Sequence, residues 1–174
     1  MDPIIEEGYA RLLETLGELQ AKKEESASEL RGNIGALLAR MAADAAPVVK
    51  QIGLEMLLRA KREASGELYD QEYYEKKMIV LGKGDPLPYR PDDPNRPVDA
   101  QICVLDEDGA FHELMYTTTD IRTDSYLSSL TPEEAFDVYG YELVFMLYRA
   151  LYEYAKKDEE LTVALARTLE YLAS

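Results

Sequence analysis

Apolar residues recur every three or four positions along the first part of the chain. The first such stripe has the 4, 3, 4, 3 spacing that is typical of a coiled coil or a helical hairpin. Its members are Ile5, Tyr9, Leu12, Leu16 and Leu19. Asp2 and Pro3 precede it and favour a helix start, because an N-cap oxygen is followed by a ring that already holds the helical φ.

A second stripe with similar spacing begins near the end of a polar stretch over residues 21–31. It comprises Leu30, Ile34, Leu37 and Met41. Pro47 predicts a kink or the first turn of a new helix. The helical pattern continues through Met56 and Leu57, and a shorter helix is predicted over Tyr69–Leu81, before Gly82. We therefore predict that residues 2–81 form a helical hairpin or a set of kinked helices.

Residues 82–99 contain proline at five positions, out of eight in the whole chain. Proline fixes φ and has no backbone N–H to donate, so this segment is predicted to be an extended, Pro-rich arm. The β-branched and aromatic segments Ala100–Leu105 and Ala110–Thr117 flank the turn residues Asp106–Gly109. This pattern predicts a single β-hairpin over residues 100–118.

The clearest local signal is Thr131-Pro132-Glu133-Glu134, in which a Thr N-cap is followed by proline and by a glutamate that can complete a capping box. It predicts a helix to about Lys157. Asp158 then caps a last helix over Glu159–Ala173, with its leucines facing inward. Those leucines are Leu161, Leu165, Leu169 and Leu172.

These elements together predict a mostly helical α+β protein. It has an N-terminal helical region (2–81), a Pro-rich arm (82–99), one β-hairpin (100–118) and two C-terminal helices (131–173). Neither half has an obvious complete core, so we expect one cooperative domain over residues 1–174.

Charge narrows the possible partners. The 19 Lys and Arg residues face 34 Asp and Glu residues, which gives a formal net charge of −15. Nucleic-acid binding needs a basic footprint, so nucleic acid is not an expected partner. A basic protein is electrostatically easier to bind. The longest apolar run, residues 143–148, is far shorter than a bilayer span, and the N-terminus has no signal-peptide pattern. We expect a soluble, cytoplasmic protein without membrane contact.

No motif identifies a reaction. Cys103 is the only cysteine, which excludes an internal disulfide and a multi-cysteine zinc site. His112 is the only histidine, so any Ser-His-Asp or Cys-His catalyst would have to use it. Cys103 looks buried and therefore inert. The acidic turn at 106–109 fails the spacing of a calcium loop, although weak cation binding stays open. We expect no cofactor and favour a protein that is not an enzyme.

Tyrosine is over-represented, with thirteen tyrosines against three phenylalanines and no tryptophan. Tyrosine is favoured at interfaces because it combines apolar area with a polar tip. The candidate interface residues cluster on the C-terminal helices. They are Tyr139, Tyr141, Tyr148, Tyr152 and Tyr154. With the heptad-like stripes, they predict an acidic interaction or assembly protein that forms a homo-oligomer.

A small-molecule-binding protein or enzyme is the alternative hypothesis. Its pocket would lie between the Pro-rich arm and the β-hairpin, where cationic, acidic and imidazole groups could meet a ligand. The candidate ligand-binding residues are Arg90, Arg96, Asp106, Asp108 and His112.

Overall fold

The computed structural model describes the backbone of residues 3–173 and the side chains of residues 6–164, 166 and 167. Its elements, in chain order, are α1 (Pro3–Ile52), β1 (Leu54–Arg62), β2 (Leu68–Gly84), β3 (Tyr89–Arg90), β4 (Asp93–Pro97), β5 (Ala100–Asp106), β6 (Phe111–Thr118), β7 (Arg122–Leu130), α2 (Pro132–Tyr139) and α3 (Glu142–Ala173). The predicted N-cap Asp2 and the side chains of Ile5, Leu165, Leu169 and Leu172 lie outside the described residues.

Helix α1 is a single helix of 50 residues, so the predicted hairpin or kinked set is wrong. Pro47 lies inside it at an exposed position, and the buried residues Ala45 and Val49 on either side keep the helix packed. The helix ends at Gly53, whose N–H donates to the Val49 carbonyl oxygen at 2.7 Å. A Cβ at residue 53 would lie 2.5 Å from that oxygen, so glycine is required there.

Residues 54–84 form strands, and the prediction of helix up to residue 81 is wrong. Strand β1 pairs with β2 in antiparallel fashion, with register shifts after Glu55, Leu57 and Arg59. Each bulge moves the following side chains to the other face, so the sequence lacks the strict alternation that marks a strand. The apolar positions that remain mimic helical spacing.

The five long strands close into an antiparallel barrel in the order β1-β2-β5-β6-β7. Pairing of Arg59–Lys61 with Arg122–Asp124 closes it between β1 and β7. The barrel interior holds the buried cluster Met78, Ile102, Val104 and Leu114. The hairpin predicted over 100–118 is present as β5 and β6, but it is one part of a complete barrel, so an architecture with one hairpin as its only strand content is wrong.

The Pro-rich segment is not an extended arm. It contains the end of β2 and a small two-stranded sheet, β3 with β4. Tyr89 pairs with Pro97 and Arg90 with Asp93. Prolines are compatible with this sheet because both of its strands are edge strands.

The capping box at Thr131 is confirmed. The Glu134 N–H donates to the Thr131 hydroxyl at 3.1 Å, and the Thr131 N–H donates to the Glu134 carboxylate at 2.7 Å. The helix that it opens is short, because Gly140, with φ of +67°, ends α2. Helix α3 then runs through Asp158 without a break, so the predicted boundary between the two C-terminal helices is misplaced.

The main core lies between the barrel's outer face and the helices. From α1 it includes Ile34, Leu38, Ala42, Ala45 and Val49; from the barrel, Leu81, Cys103, Leu105 and Phe111; from α2 and α3, Ala135, Leu143 and Leu147. The predicted mostly helical α+β fold is therefore replaced by a closed five-stranded barrel with one long and two C-terminal helices.

Candidate functional site

The first half of helix α1 projects away from the barrel. Every described side chain from residue 6 to residue 33 is exposed, and the buried positions of the helix begin at Ile34. We call residues 6–33 the N-terminal arm. Its apolar stripe is more than half exposed at each large residue, so no described part of the chain covers it. The stripe consists of Tyr9, Leu12, Leu13, Leu16 and Leu19.

Charges on the N-terminal arm lie away from this stripe. Helical geometry places Glu7, Glu14 and Glu18 on the opposite side. Between residues 8 and 20, the positions that flank the stripe are uncharged. They are Gly8, Thr15 and Gln20. An identical helix could therefore approach the stripe without bringing carboxylates together.

A second exposed stripe begins at the residue before helix α3 and continues along α3, with aromatic residues spaced 4, 3 and 4. It consists of Tyr141, Phe145, Tyr148 and Tyr152. The rings of Tyr141 and Phe145 meet edge to face at 5.5 Å, and those of Tyr148 and Tyr152 stack at 6.2 Å. A groove of about 910 Å³ separates this aromatic stripe from β2. The face of α3 that carries Leu143 and Leu147 is buried in the core.

The other two candidate interface tyrosines are engaged within the chain. The Tyr139 hydroxyl donates to the buried Glu113 carboxylate at 3.1 Å, and burial raises the pKa of Tyr139. The Tyr154 hydroxyl donates to the Gln51 side-chain oxygen at 2.9 Å. The five predicted interface residues therefore divide into three exposed ones and two that tie helices to their neighbours.

The helices α1 and α3 run in the same direction where they lie together. Arg31 of α1 pairs with Asp137 just before α3, and Gln51 near the end of α1 meets Tyr154 of α3. The N-terminal arm therefore lies before the part of α1 that packs beside α3, and the part of α3 beyond Tyr154 extends past the end of α1. Leu161 in that later part is also exposed. The two projecting helical segments leave opposite ends of the helical layer.

A different candidate site lies at one mouth of the barrel, where β5, β6 and β7 bring polar side chains into contact. The His112 ring contacts Asp106 through Nε2 at 3.0 Å and the Ser129 hydroxyl through Nδ1 at 3.2 Å. Asp106 is fully buried, His112 is nearly so, and Ser129 is exposed. A cavity of about 550 Å³ adjoins His112 and Asp106, and its apolar wall includes Leu58, Met78 and Leu127.

Asp106 is held as a carboxylate. Burial raises its pKa, but hydrogen bonds from the Ala110 N–H, His112, the Asp108 N–H and Lys76 outweigh burial, so the pKa lies below its ordinary value. The donor distances are 2.9 Å for Ala110, 3.0 Å for Asp108 and 3.3 Å for Lys76. Since an ionised carboxylate only accepts hydrogen bonds, His112 Nε2 carries the proton in this contact.

The predicted ligand-binding residues fall in two separate places. Asp106 and His112 lie at the barrel mouth, and Asp108 pairs there with Lys76 at 2.7 Å. Arg90 and Arg96 instead meet at Asp124, and the buried Arg90 also pairs with Asp92 and lies 5.5 Å from the centre of the Tyr126 ring. The acids around both arginines neutralise their charge. Because the two groups lie in separate places, the five residues do not form one pocket.

Cys103 cannot partner His112. It lies on the outer face of β5, within the core against the helices, whereas His112 faces the interior of the barrel. Burial, together with the charge of Glu113, raises the pKa of the Cys103 thiol to about 12. The candidate nucleophile that contacts His112 is the Ser129 hydroxyl. Sequence reasoning missed it because no strand was predicted over residues 122–130.

Comparisons with protein-family models, curated proteins and solved structures find no match for this chain. Within the described part of the chain, no helix combines the length and apolarity that a membrane crossing requires. The side chains that the structure describes likewise form no group of three or more Cys, His, Asp or Glu residues able to hold a metal.

Proposed function

We propose that the protein is a self-assembling scaffold whose N-terminal arm pairs with the arm of a second copy. The observation that carries this proposal is the uncovered apolar stripe at Tyr9, Leu12, Leu13, Leu16 and Leu19. Full burial of such a side chain stabilises a structure by about 1.5–3 kcal/mol. A second arm offers the matching heptad spacing and buries both stripes at once.

The charge distribution favours a second copy of the chain, and not a basic protein, as the molecule that covers the apolar stripe. A basic partner would be attracted to rows of acids beside the stripe, but the flanking positions from Gly8 to Gln20 are uncharged. Glu7, Glu14 and Glu18 lie on the far side of the arm. Two copies that meet through the stripe therefore keep their carboxylates apart, even though each chain has a net charge of −15.

The aromatic stripe on α3 is proposed as a secondary contact of the same assembly. Tyr141, Tyr148 and Tyr152 present broad ring surface with a hydroxyl tip, which suits an interface that alternates apolar and polar contacts. Tyr139 and Tyr154 support it indirectly by fixing α2 and α3 against the rest of the chain.

Sedimentation equilibrium of paired variants tests the proposal. The double change Leu12→Glu with Leu16→Glu places charge in the stripe and is expected to weaken self-association at least about 100-fold, since buried unpaired charge costs several kcal/mol. The matched control is Ala21→Glu with Ser28→Glu, which adds the same charge on the far side of the helix. We expect the control to keep a mass of at least twice 19.7 kDa.

The proposal fails in either of two cases. One is a wild-type chain of 19.7 kDa at tens of micromolar. The other is an equal loss of association in both double variants, which would show that the added charge acts through the whole molecule and that the stripe is not the contact.

A further inference from the structure

The geometry points to Ser129 as a nucleophile at the mouth of the barrel, with His112 as its base and Asp106 as the group that orients the base. The substrate class is a small, uncharged ester with an apolar acyl group. This site is independent of the proposed assembly, because it lies within the barrel and the N-terminal arm does not.

The contacts of Asp106, His112 and Ser129 assign a role to each of the three groups. Asp106 accepts the Nε2–H of His112 at 3.0 Å, which leaves Nδ1 with a free lone pair. The Ser129 hydroxyl lies 3.2 Å from that lone pair and can donate to it. The buried carboxylate thus fixes the tautomer and stabilises the imidazolium that forms when His112 takes the proton.

Strand alternation brings the groups to one mouth. His112 pairs with Val104 on one side and with Ser129 on the other, and Val104 faces the barrel interior. Leu127, two residues before Ser129, packs on the same interior cluster. His112 and Asp106 are buried and line the cavity, whereas Ser129 is exposed and lies on the outer side of His112, next to the cavity lining.

The cavity beside the array sets the substrate class. Its volume of about 550 Å³ suits a small ligand, and Leu58, Met78 and Leu127 provide an apolar wall for an acyl chain. Glu72 and Glu75 also line it; Glu72 is paired with Arg59 at 2.7 Å, and the charge of Glu75 disfavours a negatively charged substrate. Lys76 does not offset them, because it is paired with Asp106 and Asp108.

The reaction is an acyl transfer in two steps. Ser129 Oγ attacks the ester carbonyl carbon, and its proton moves to His112 Nδ1. The ester C–O bond then breaks, and the alkoxide leaves as an alcohol with that proton. Water, deprotonated by His112, attacks the acyl-serine and releases the carboxylic acid and the free Ser129 hydroxyl.

Labelling with a fluorophosphonate, read by intact mass and peptide mapping, tests the nucleophile. We expect one adduct, on Ser129, which Ser129→Ala abolishes and Ser128→Ala leaves intact. Ser128 is the matched control because the next residue of a strand faces the other side of the sheet. His112→Gln should slow labelling on the order of 100-fold, the lower end of what a general base supplies.

A second variant keeps the test decisive if His112→Gln does not fold. In Ser129→Cys, the thiol lies beside the same base, and its alkylation by iodoacetamide at pH 7 should be about tenfold faster than in Ser128→Cys, because a neighbouring imidazole promotes the thiolate. Native Cys103 gives little background, since it is buried with a pKa of about 12. No adduct on Ser129, or equal alkylation of the two variants, would overturn the assignment.

Discussion

At the scale of single residues, Asp106 contributes both to the stability of the fold and to the candidate site at His112. Its carboxylate accepts the backbone N–H groups of Asp108 and Ala110, which shapes the β5–β6 turn, and it also contacts Lys76 and His112. The same side chain therefore holds the hairpin and orients the imidazole. A buried carboxylate with this many donors stabilises the folded state only while it is ionised.

Replacement of Asp106 by alanine is expected to lower the free energy of unfolding by roughly 1.5–3 kcal/mol, because buried donors lose a charged acceptor. Chemical denaturation at pH 7 measures it. Asp108→Ala is the control, since Asp108 is an exposed side chain whose pairing with Lys76 is on the surface, and such pairs contribute little. Equal losses in both variants would contradict the role given to Asp106.

The contribution of Asp106 to the free energy of unfolding also depends on pH. Its folded-state pKa is lowered from the ordinary value, so the unfolded chain binds the proton more tightly. The stabilisation is complete above the ordinary Asp pKa of about 3.9 and is lost as the pH falls below it. The difference in stability between wild type and Asp106→Ala should therefore shrink as the pH falls below about 4.

Sequence reasoning found part of this site. His112 stands out as the only histidine, and Asp106 as the first residue of an acidic turn that ends at Gly109. Ser129 gave no comparable signal, since serine is common and its meaning depends on pairing with His112 across β6 and β7. Arg90 and Arg96 looked like ligand groups, yet Asp124, distant in sequence, neutralises them both.

At the scale of elements, short-range chemistry was predictable and long-range pairing was not. The Thr131 capping box and the turn at Asp106–Gly109 depend on a few adjacent residues, and both are present. Strands β1 and β2 were misread as helix because three register shifts remove the alternation of apolar and polar residues. The prediction of a kink or a new helix at Pro47 is wrong because packing on both sides of it maintains α1.

At the scale of the whole molecule, the barrel has its own interior, and α1 and α3 cover part of its outside. The N-terminal arm remains outside both layers with an apolar stripe in contact with solvent. Cooperative folding of residues 1–174 as one domain stays a prediction. The excess of acids over the whole chain opposes self-association at long range, whereas the stripe favours it at contact.

Salt should therefore strengthen assembly. Raising NaCl from about 0.1 M to about 1 M shortens the Debye length from about 10 Å to about 3 Å and screens the repulsion between two chains of charge −15. We expect the dissociation constant measured by sedimentation to fall severalfold. A basic partner held by charge would respond in the opposite direction, and weaker self-association at high salt would argue against the stripe as the contact.

The central claim, that a second copy covers the N-terminal arm, is tested most directly by hydrogen exchange at several protein concentrations. A helical segment without tertiary contacts opens readily, whereas one packed in an interface is protected. Amides of residues 6–33 should exchange slowly at high concentration and faster on dilution, while those of β5 and β6 stay equally protected throughout. Rapid exchange of the arm at every concentration, with the barrel protected, would contradict the claim.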